Sequence, residues 1–347
     1  MMVSTSPTAE EPVLAVSGLT TQFETSDGIV QAVNDVSFAV HAGETLGVVG
    51  ESGSGKSITM MSILRLLPPN GRIVAGSVTY GGRDLTTAPE WHLQSIRGRE
   101  ISIIFQDPMT ALNPVMSIAQ QIDESLRRHS RELDRRGRRA RIIELLDQVR
   151  IPGASRRADQ YPHELSGGMR QRAMIAMAMA NRPAVLLADE PTTALDVTVQ
   201  AQILDLLHDL QSETGTALVL ITHDLGVIAE VSDRAVVMYA GRIVERASVD
   251  ELFTEPRHPY TRGLLDSRPT IDDELSGEQL DLAAIPGQPP NPARLPGGCA
   301  FRPRCAVSQG REECQTLPDL VELSPGRATA CHFHSELIMT AEKVRTP

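Results

Sequence analysis

The residues most able to do chemistry are Gly50-Glu51-Ser52-Gly53-Ser54-Gly55-Lys56-Ser57, which fit G-x-x-x-x-G-K-[ST]. Glycines at these positions let backbone N–H groups close around phosphate oxygens, and a following helix adds a favourable dipole. Lys56 supplies a compact charge for β- and γ-phosphates, and Ser57 offers an oxygen to Mg²⁺. The chain has 33 cationic residues, of which 31 are Arg and two are Lys, at 56 and 343. Lysine therefore stands where a tight loop excludes the wide guanidinium fork. A second set is Val185-Leu186-Leu187-Ala188-Asp189-Glu190, an apolar run ending in two carboxylates. Asp189 is placed to hold Mg²⁺ through water, and Glu190 to polarise an attacking water.

These groups need elements to position them. Thr45-Leu46-Gly47-Val48-Val49 reads as a buried strand before the loop, and residues 58–64 as the helix after it. Residues 13–40 read as short β segments, including Leu14-Ala15-Val16 and residues 36–40, around a turn at Ser26-Asp27-Gly28. Further strands are expected at 185–188, 217–221 and 235–238, with a helix over 197–211, the order of a parallel sheet flanked by helices. Residues 115–163 look helical and peripheral, and their eight arginines between 127 and 141 read as a solvated face. The Met-rich helix at 169–180 reads as packing.

Length and charge narrow the classes. At 347 residues the chain has room for two domains, and its net charge of −11 argues against a general nucleic-acid binder. No apolar run of about 18 residues occurs. Residues 1–12 lack the apolar core of an export signal, so a reducing cytosolic setting is expected.

Several motifs together resemble the ATPases of ABC transporters. Leu165-Ser166-Gly167-Gly168 looks like the LSGG signature, although Met169 stands where Gln is common. Gln106 lies in a segment resembling the Q-loop, Ala194-Leu195-Asp196 resembles the D-loop, and Thr222-His223-Asp224 resembles the switch histidine. Phe23 takes the place of the aromatic that stacks on adenine. Bland readings of single positions are a loop residue at Gln106, helix caps at His223 and Asp196, and a core ring at Phe23.

The resemblance implies an α/β ABC-type P-loop ATPase using ATP and Mg²⁺. It implies a RecA-like parallel sheet core, an N-terminal antiparallel β subdomain and a helical signature subdomain over about 110–170. The ATPase domain would span 13–254, with a Cys-rich extension at 255–347. Gln106 would join Ser57 and Asp189 at Mg²⁺, and His223 would steady the γ-phosphate. Ser166, Gly167 and Gly168 would bind the γ-phosphate held by another subunit's loop, so the chain should need a second ATPase subunit.

Residues 106–114, 189–197 and His258-Pro259-Tyr260-Thr261, with the tail 285–305, are similar to the D-type ATPases of dipeptide and oligopeptide importers. The branch implies a related F-type ATPase or a second copy as partner, two permeases and an extracytoplasmic binding protein. It also implies a peripheral place on the cytoplasmic face of the membrane. Importers for nickel or other solutes, and non-transport ABC ATPases, are the alternatives.

The cysteines follow Cys299-x5-Cys305-x8-Cys314-x16-Cys331, without the short pairs usual for zinc. Such a loop-rich tail suits a metal staple, and Cys₄ ligation suits an iron–sulfur group. The resemblance implies a [4Fe–4S] cluster. Zinc, with His332 or His334 as substitute ligands, and no metal at all remain open.

Overall fold

A computed structural model describes residues 11–26, 28–193, 195–267 and 285–337. Asp27 of the expected turn, Ala194 of the D-loop-like segment and Lys343 lie outside them.

The chain opens with β1 (Leu14–Thr25) and β2 (Gly28–Val40), then β3 (Thr45–Val49), the glycine-rich loop and α1 (Lys56–Ile63). There follow β4 (Gly71–Tyr80), β5 (Arg83–Asp84), α2 (Glu90–Ile96) and β6 (Ile101–Ile104). The helical stretch holds α3 (Pro108–Ala111), α4 (Ile118–His129), α5 (Arg135–Gln148), α6 (Ala154–Arg157) and α7 (Gly167–Met179). Next come β7 (Val185–Asp189), α8 (Val197–Thr214), β8 (Ala217–Thr222), α9 (Leu225–Val231) and β9 (Arg234–Tyr239). The chain continues with β10 (Arg242–Ser248), α10 (Val249–Thr254), α11 (Pro259–Asp266), β11 (Val321–Ser324) and β12 (Arg327–Thr329).

Two compact units divide the chain. The first contains residues 77–219 with two N-terminal pieces, and the second contains 18–37, 46–76 and 220–347. The described residues beyond 254 therefore share a unit with the phosphate loop.

In the first unit, β6 and β7 run parallel with Ile101 opposite Val185 and Ile104 opposite Ala188. Every residue of β7 is buried, as expected of a strand covered on both faces. The helices α4, α5 and α7 pack on one another. Ser117 and Gln120 form a reciprocal cap at the start of α4, and Asp134 caps α5 through the Gly137 N–H. The arginine-rich face is laced by ion pairs, Arg138 to Asp123 at 2.6 Å and Arg139 to Asp159 at 2.7 Å. That is the solvated face the sequence suggests.

In the second unit, β3 lies parallel to β9, with Val49 opposite Val237. Strands β9 and β10 form a hairpin whose turn residues Ala240 and Gly241 both have positive φ, as a two-residue hairpin turn requires. The tail adds β12 to the other edge of β10, Glu245 opposite Thr329, and β11 to β12. Its core joins Val49, Ile228, Val237 and Tyr239 to Tyr260 and Phe301 from beyond residue 254.

Two local readings needed correction. The first 40 residues hold two long strands of 12 and 13 residues instead of several short ones. The tail, read as irregular, contributes the strand pair β11 and β12. Its polar runs carry little apolar alternation, and they become strands because β10 offers an open edge.

Candidate functional site

The phosphate loop is built as its sequence requires. Fully buried β3 runs into Gly50, and the loop ends at Gly55, the cap of α1. Gly55 has φ of 101°, and a Cβ there would run into the Ala32 carbonyl. A Cβ at Gly50 would run into the Met238 carbonyl. Only glycine lets the backbone pass at these two points. Gly53 and Ser52 are less crowded: a Cβ at Gly53 would meet open space, and Ser52 is exposed. The hairpin turn after β9 steadies the loop through the Gly241 N–H, which donates to the Ser54 carbonyl at 2.9 Å.

Lys56 is 5% exposed. Its Nζ donates to the carbonyls of Gly50 at 2.6 Å and Glu51 at 3.0 Å, and to Ser54 Oγ at 3.4 Å. The ammonium is thus held at the centre of the loop, the place a β- or γ-phosphate needs it. Ser57 follows in the first turn of the helix, half-buried. In the same unit Phe23 is half-buried with its ring against Gly71, where even a Cβ would be too close. His223 is exposed just after β8. It is Asp224, and not His223, that caps α9, through the Gly226 N–H at 2.7 Å.

The first unit holds the other candidates. Asp189 closes β7 and is 7% exposed. Glu190, next in the chain, has φ of 44°, a conformation that a non-glycine residue adopts at a cost. Two donors converge on its Oε2, Gln106 Nε2 at 3.0 Å and Thr193 Oγ1 at 2.7 Å. The structure therefore brings Gln106 to Glu190 across 84 residues of sequence. Thr193 has no role assigned from sequence. An oxygen-bearing side chain three residues after a candidate base is a weak signal that could have found it.

Ser166 is the cap of α7, its Oγ accepting from the Met169 N–H at 3.4 Å, and Ser166 and Gly167 are exposed. Gly168 is close-packed, since a Cβ there would sit 3.0 Å from Val199. Asp196 caps α8 through the Val199 N–H at 2.9 Å, so the bland reading of that residue holds in this structure. It is also exposed, beside Val197 at 83% exposure.

Mg²⁺ is a hard cation that prefers oxygen ligands. The hydroxyl of Ser57, the amide oxygen of Gln106 and the carboxylate of Asp189 are all of that kind, so the donor chemistry fits the ion.

The cysteine module does not form the metal centre that the sequence leads one to expect. Among the described residues no group of three or more His, Cys, Asp or Glu is arranged to hold a metal ion. Cys299, Cys305, Cys314 and Cys331 are therefore not gathered into such a group, and this geometry by itself supports neither the [4Fe–4S] nor the zinc expectation. None of the four is in a disulfide. They are near one another, however: the Cys299 N–H donates to the Cys314 carbonyl at 3.1 Å. Burial, then the neighbouring thiols, pushes Cys331 up to about 12. Burial likewise raises Cys299 and Cys314. The tail also packs on the unit's core through Phe301, whose ring lies 5.2 Å from that of Tyr239 and 5.3 Å from that of Tyr260.

Two residues of the second unit meet the loop without having been assigned a role from sequence. Tyr260 Oη accepts from the Glu51 N–H at 2.8 Å, and the Arg304 guanidinium grips the Glu51 carboxylate. The sequence separations are 209 and 253 residues. No periodicity or spacing links them, although Tyr260 and Arg304 each stand in a segment that carries the branch resemblance.

Comparison with known proteins agrees with this geometry. Residues 33–193 match the ABC transporter family, and residues 244–314 match the oligopeptide/dipeptide transporter C-terminal region. A putative peptide import ATP-binding protein of Brucella abortus is 52% identical over 92% of this chain and 94% of its own length. The oligopeptide transport ATP-binding protein OppD of Salmonella typhimurium is 50% identical over 94% of this chain and 95% of its own. Among solved structures, the ATP-binding cassette MJ0796, a dimer bound to ADP and Pi, superposes with a TM-score of 0.62 at 28% identity. The match covers 68% of this chain and 98% of that one. With a phosphate loop, a strand-end carboxylate pair and a signature helix in place, the chain belongs to the ABC transporter ATPases, in the branch that carries the oligopeptide/dipeptide C-terminal region.

Proposed function

We propose that this chain hydrolyses ATP to drive an importer for di- or oligopeptides, working peripherally on the cytoplasmic face of the membrane. The single observation that carries the reading is near-full-length similarity, at about half of all positions, to peptide import ATP-binding proteins. Among the described residues no helix is long and apolar enough to cross a membrane, so two permease subunits would supply the path. An extracytoplasmic binding protein would supply the peptide.

In this reading the amides of the loop and the Lys56 ammonium bind the β- and γ-phosphates, and Phe23 packs on the adenine. Ser57, Gln106 and Asp189 would hold Mg²⁺, which would supply neutralisation of phosphate charge. Glu190 takes a proton from the attacking water, and its Oε2 bonds to Gln106 and Thr193 aim the other oxygen at that task. His223 donates to the γ-phosphate. Ser166, Gly167 and Gly168, with Asp196, serve the nucleotide held by a second ATPase subunit, a related F-type chain or another copy. The exposure of Ser166, Gly167 and Asp196 suits a surface completed by a partner.

The assignment of the four cysteines to a [4Fe–4S] group rests on donor chemistry and mutual proximity alone. Iron and acid-labile sulfide analysis of the anaerobically purified chain tests it: four of each per chain supports a cluster, and none removes it.

The test of function is reconstitution with its permeases in liposomes. ATP hydrolysis should rise when a peptide-loaded binding protein is added. Stimulation by a nickel-loaded binding protein, and none by the peptide-loaded one, would move the chain to another importer class.

A further inference from the structure

Glu51 is the only acidic residue in the phosphate loop, and all three of its polar groups are held. Its N–H donates to Tyr260 Oη at 2.8 Å, and its carbonyl accepts from Lys56 Nζ at 3.0 Å. Its carboxylate accepts two bonds from Arg304, Nη1 at 2.6 Å and Nη2 at 2.9 Å. Two of these partners come from beyond residue 254, and the third is the lysine that faces phosphate.

Both outer partners are fixed before they reach Glu51. Tyr260 is fully buried, with its ring 4.7 Å from Tyr239. The start of its helix is set by buried His258, whose Nδ1 accepts the Tyr260 N–H at 3.0 Å. Glu245 in turn accepts the N–H groups of Arg257 and His258 at 2.6 and 3.0 Å. Arg304 is 7% exposed. Its Nε donates to the Pro286 carbonyl at 2.9 Å, and its guanidinium carbon lies 5.9 Å from the Tyr239 ring centre. An exposed ion pair is worth little, but here a planar fork is pre-set by other contacts and meets the carboxylate with two parallel bonds. Loss of either partner leaves the other charge poorly compensated.

A carboxylate within a phosphate loop is an electrostatic problem. Unopposed, it repels the anion that the loop exists to bind, and it competes for the lysine. We propose that Tyr260 and Arg304 are positioning residues of the nucleotide site: they hold Glu51 by its amide and its carboxylate, fix the loop, and cancel its one acidic charge. Phosphate affinity then depends on the C-terminal module. The inference rests on the reading that this loop binds nucleotide, which binding by the unaltered chain tests separately.

The experiment uses the assembled importer, a fluorescent Mg–ATP analogue for equilibrium binding, and steady-state hydrolysis. Arg304→Met should weaken analogue binding about tenfold and raise KM in step, with kcat within about twofold. Adding Glu51→Gln to Arg304→Met removes the stranded charge and should return affinity to within about threefold of the unaltered chain. Tyr260→Phe keeps the ring and loses one bond, so about a threefold weakening is expected even if Arg304→Met fails to fold. Recovery by a second substitution is a result that mere structural damage cannot give. Affinity within twofold of the unaltered chain in Tyr260→Phe and in folded Arg304→Met overturns the proposal, as does a double variant no better than Arg304→Met. No binding by the unaltered chain overturns the nucleotide reading itself.

Discussion

The phosphate loop and the face that carries Ser166, Gly167 and Asp196 are built on opposite plans. In the loop the charged groups are closed upon the chain itself. Lys56 bonds to loop carbonyls, Glu51 is held at three points, and Gly50 and Gly55 pack against neighbouring backbone. In the other region the caps Ser166 and Asp196 stand exposed, and Val197 is 83% exposed beside them. Met109 and Val115, in the same unit, are exposed at 57% and 79%. In the proposed reading a surface left this open is finished by other chains, whereas the loop's charged groups are held from within. The contrast separates what one chain can do alone, binding nucleotide, from what needs partners.

That separation can be broken by substitution, and the largest effect is expected at Glu190. Glu190→Gln removes the proposed general base and should lower turnover by about a thousandfold, with bound nucleotide unchanged, measured as phosphate release beside equilibrium binding. Lys56→Ala should weaken nucleotide binding by about a hundredfold, since a buried charge aimed at phosphate is lost, and titration with labelled ATP reads it. Ser166→Ala should leave binding by the isolated chain intact and slow turnover of the assembled complex about tenfold. Equal loss of binding in Ser166→Ala would erase the contrast between the two regions.

Two further variants concern stability. Gly55→Ala forces a Cβ onto the Ala32 carbonyl at positive φ and should destabilise by about 2–3 kcal/mol in denaturant unfolding. The smallest effect is a pH slope in the tail. Burial lowers His258 to about 3, so its folded form binds fewer protons than the unfolded chain between that value and 6.5. Its contribution is complete above about pH 6.5 and is lost as pH falls. Burial raises Glu245 to about 7, against the Arg257 and His258 N–H bonds and the nearby Arg327 charge. Its folded form keeps a proton from 4.5 upward, so stability falls as pH rises toward 7. The two slopes oppose each other. His258→Asn keeps an acceptor for the Tyr260 N–H and removes one slope. Its melting temperature should therefore fall between about pH 5 and pH 6.5, where the unaltered chain stays nearly flat.

How much of this was legible in the sequence follows the same division. The loop, the strand before it and the helix after it are contiguous, so glycine spacing and an apolar run were enough to place them. Asp189 and Glu190 were legible because a buried strand must end somewhere, and two carboxylates mark the end. The contact between Gln106 and Glu190 was not visible locally, and the family resemblance placed Gln106 only at Mg²⁺ with Ser57 and Asp189. The hold of Tyr260 and Arg304 on Glu51 had no such support, because nothing in residues 258–261 or 299–305 says where the sheet will carry them. Strands β11 and β12 were missed for a related reason: Val321-Glu322-Leu323-Ser324 becomes a strand only beside its partner. The cysteine spacing suggests a metal site through donor chemistry alone, and the described residues show no such group.

The most direct test of the account compares Glu190→Gln and Lys56→Ala on one preparation of the assembled importer, reading bound nucleotide and released phosphate together. The account predicts full binding without turnover for Glu190→Gln, and loss of binding for Lys56→Ala. Turnover near that of the unaltered complex in Glu190→Gln, or undiminished nucleotide binding in Lys56→Ala, would contradict it.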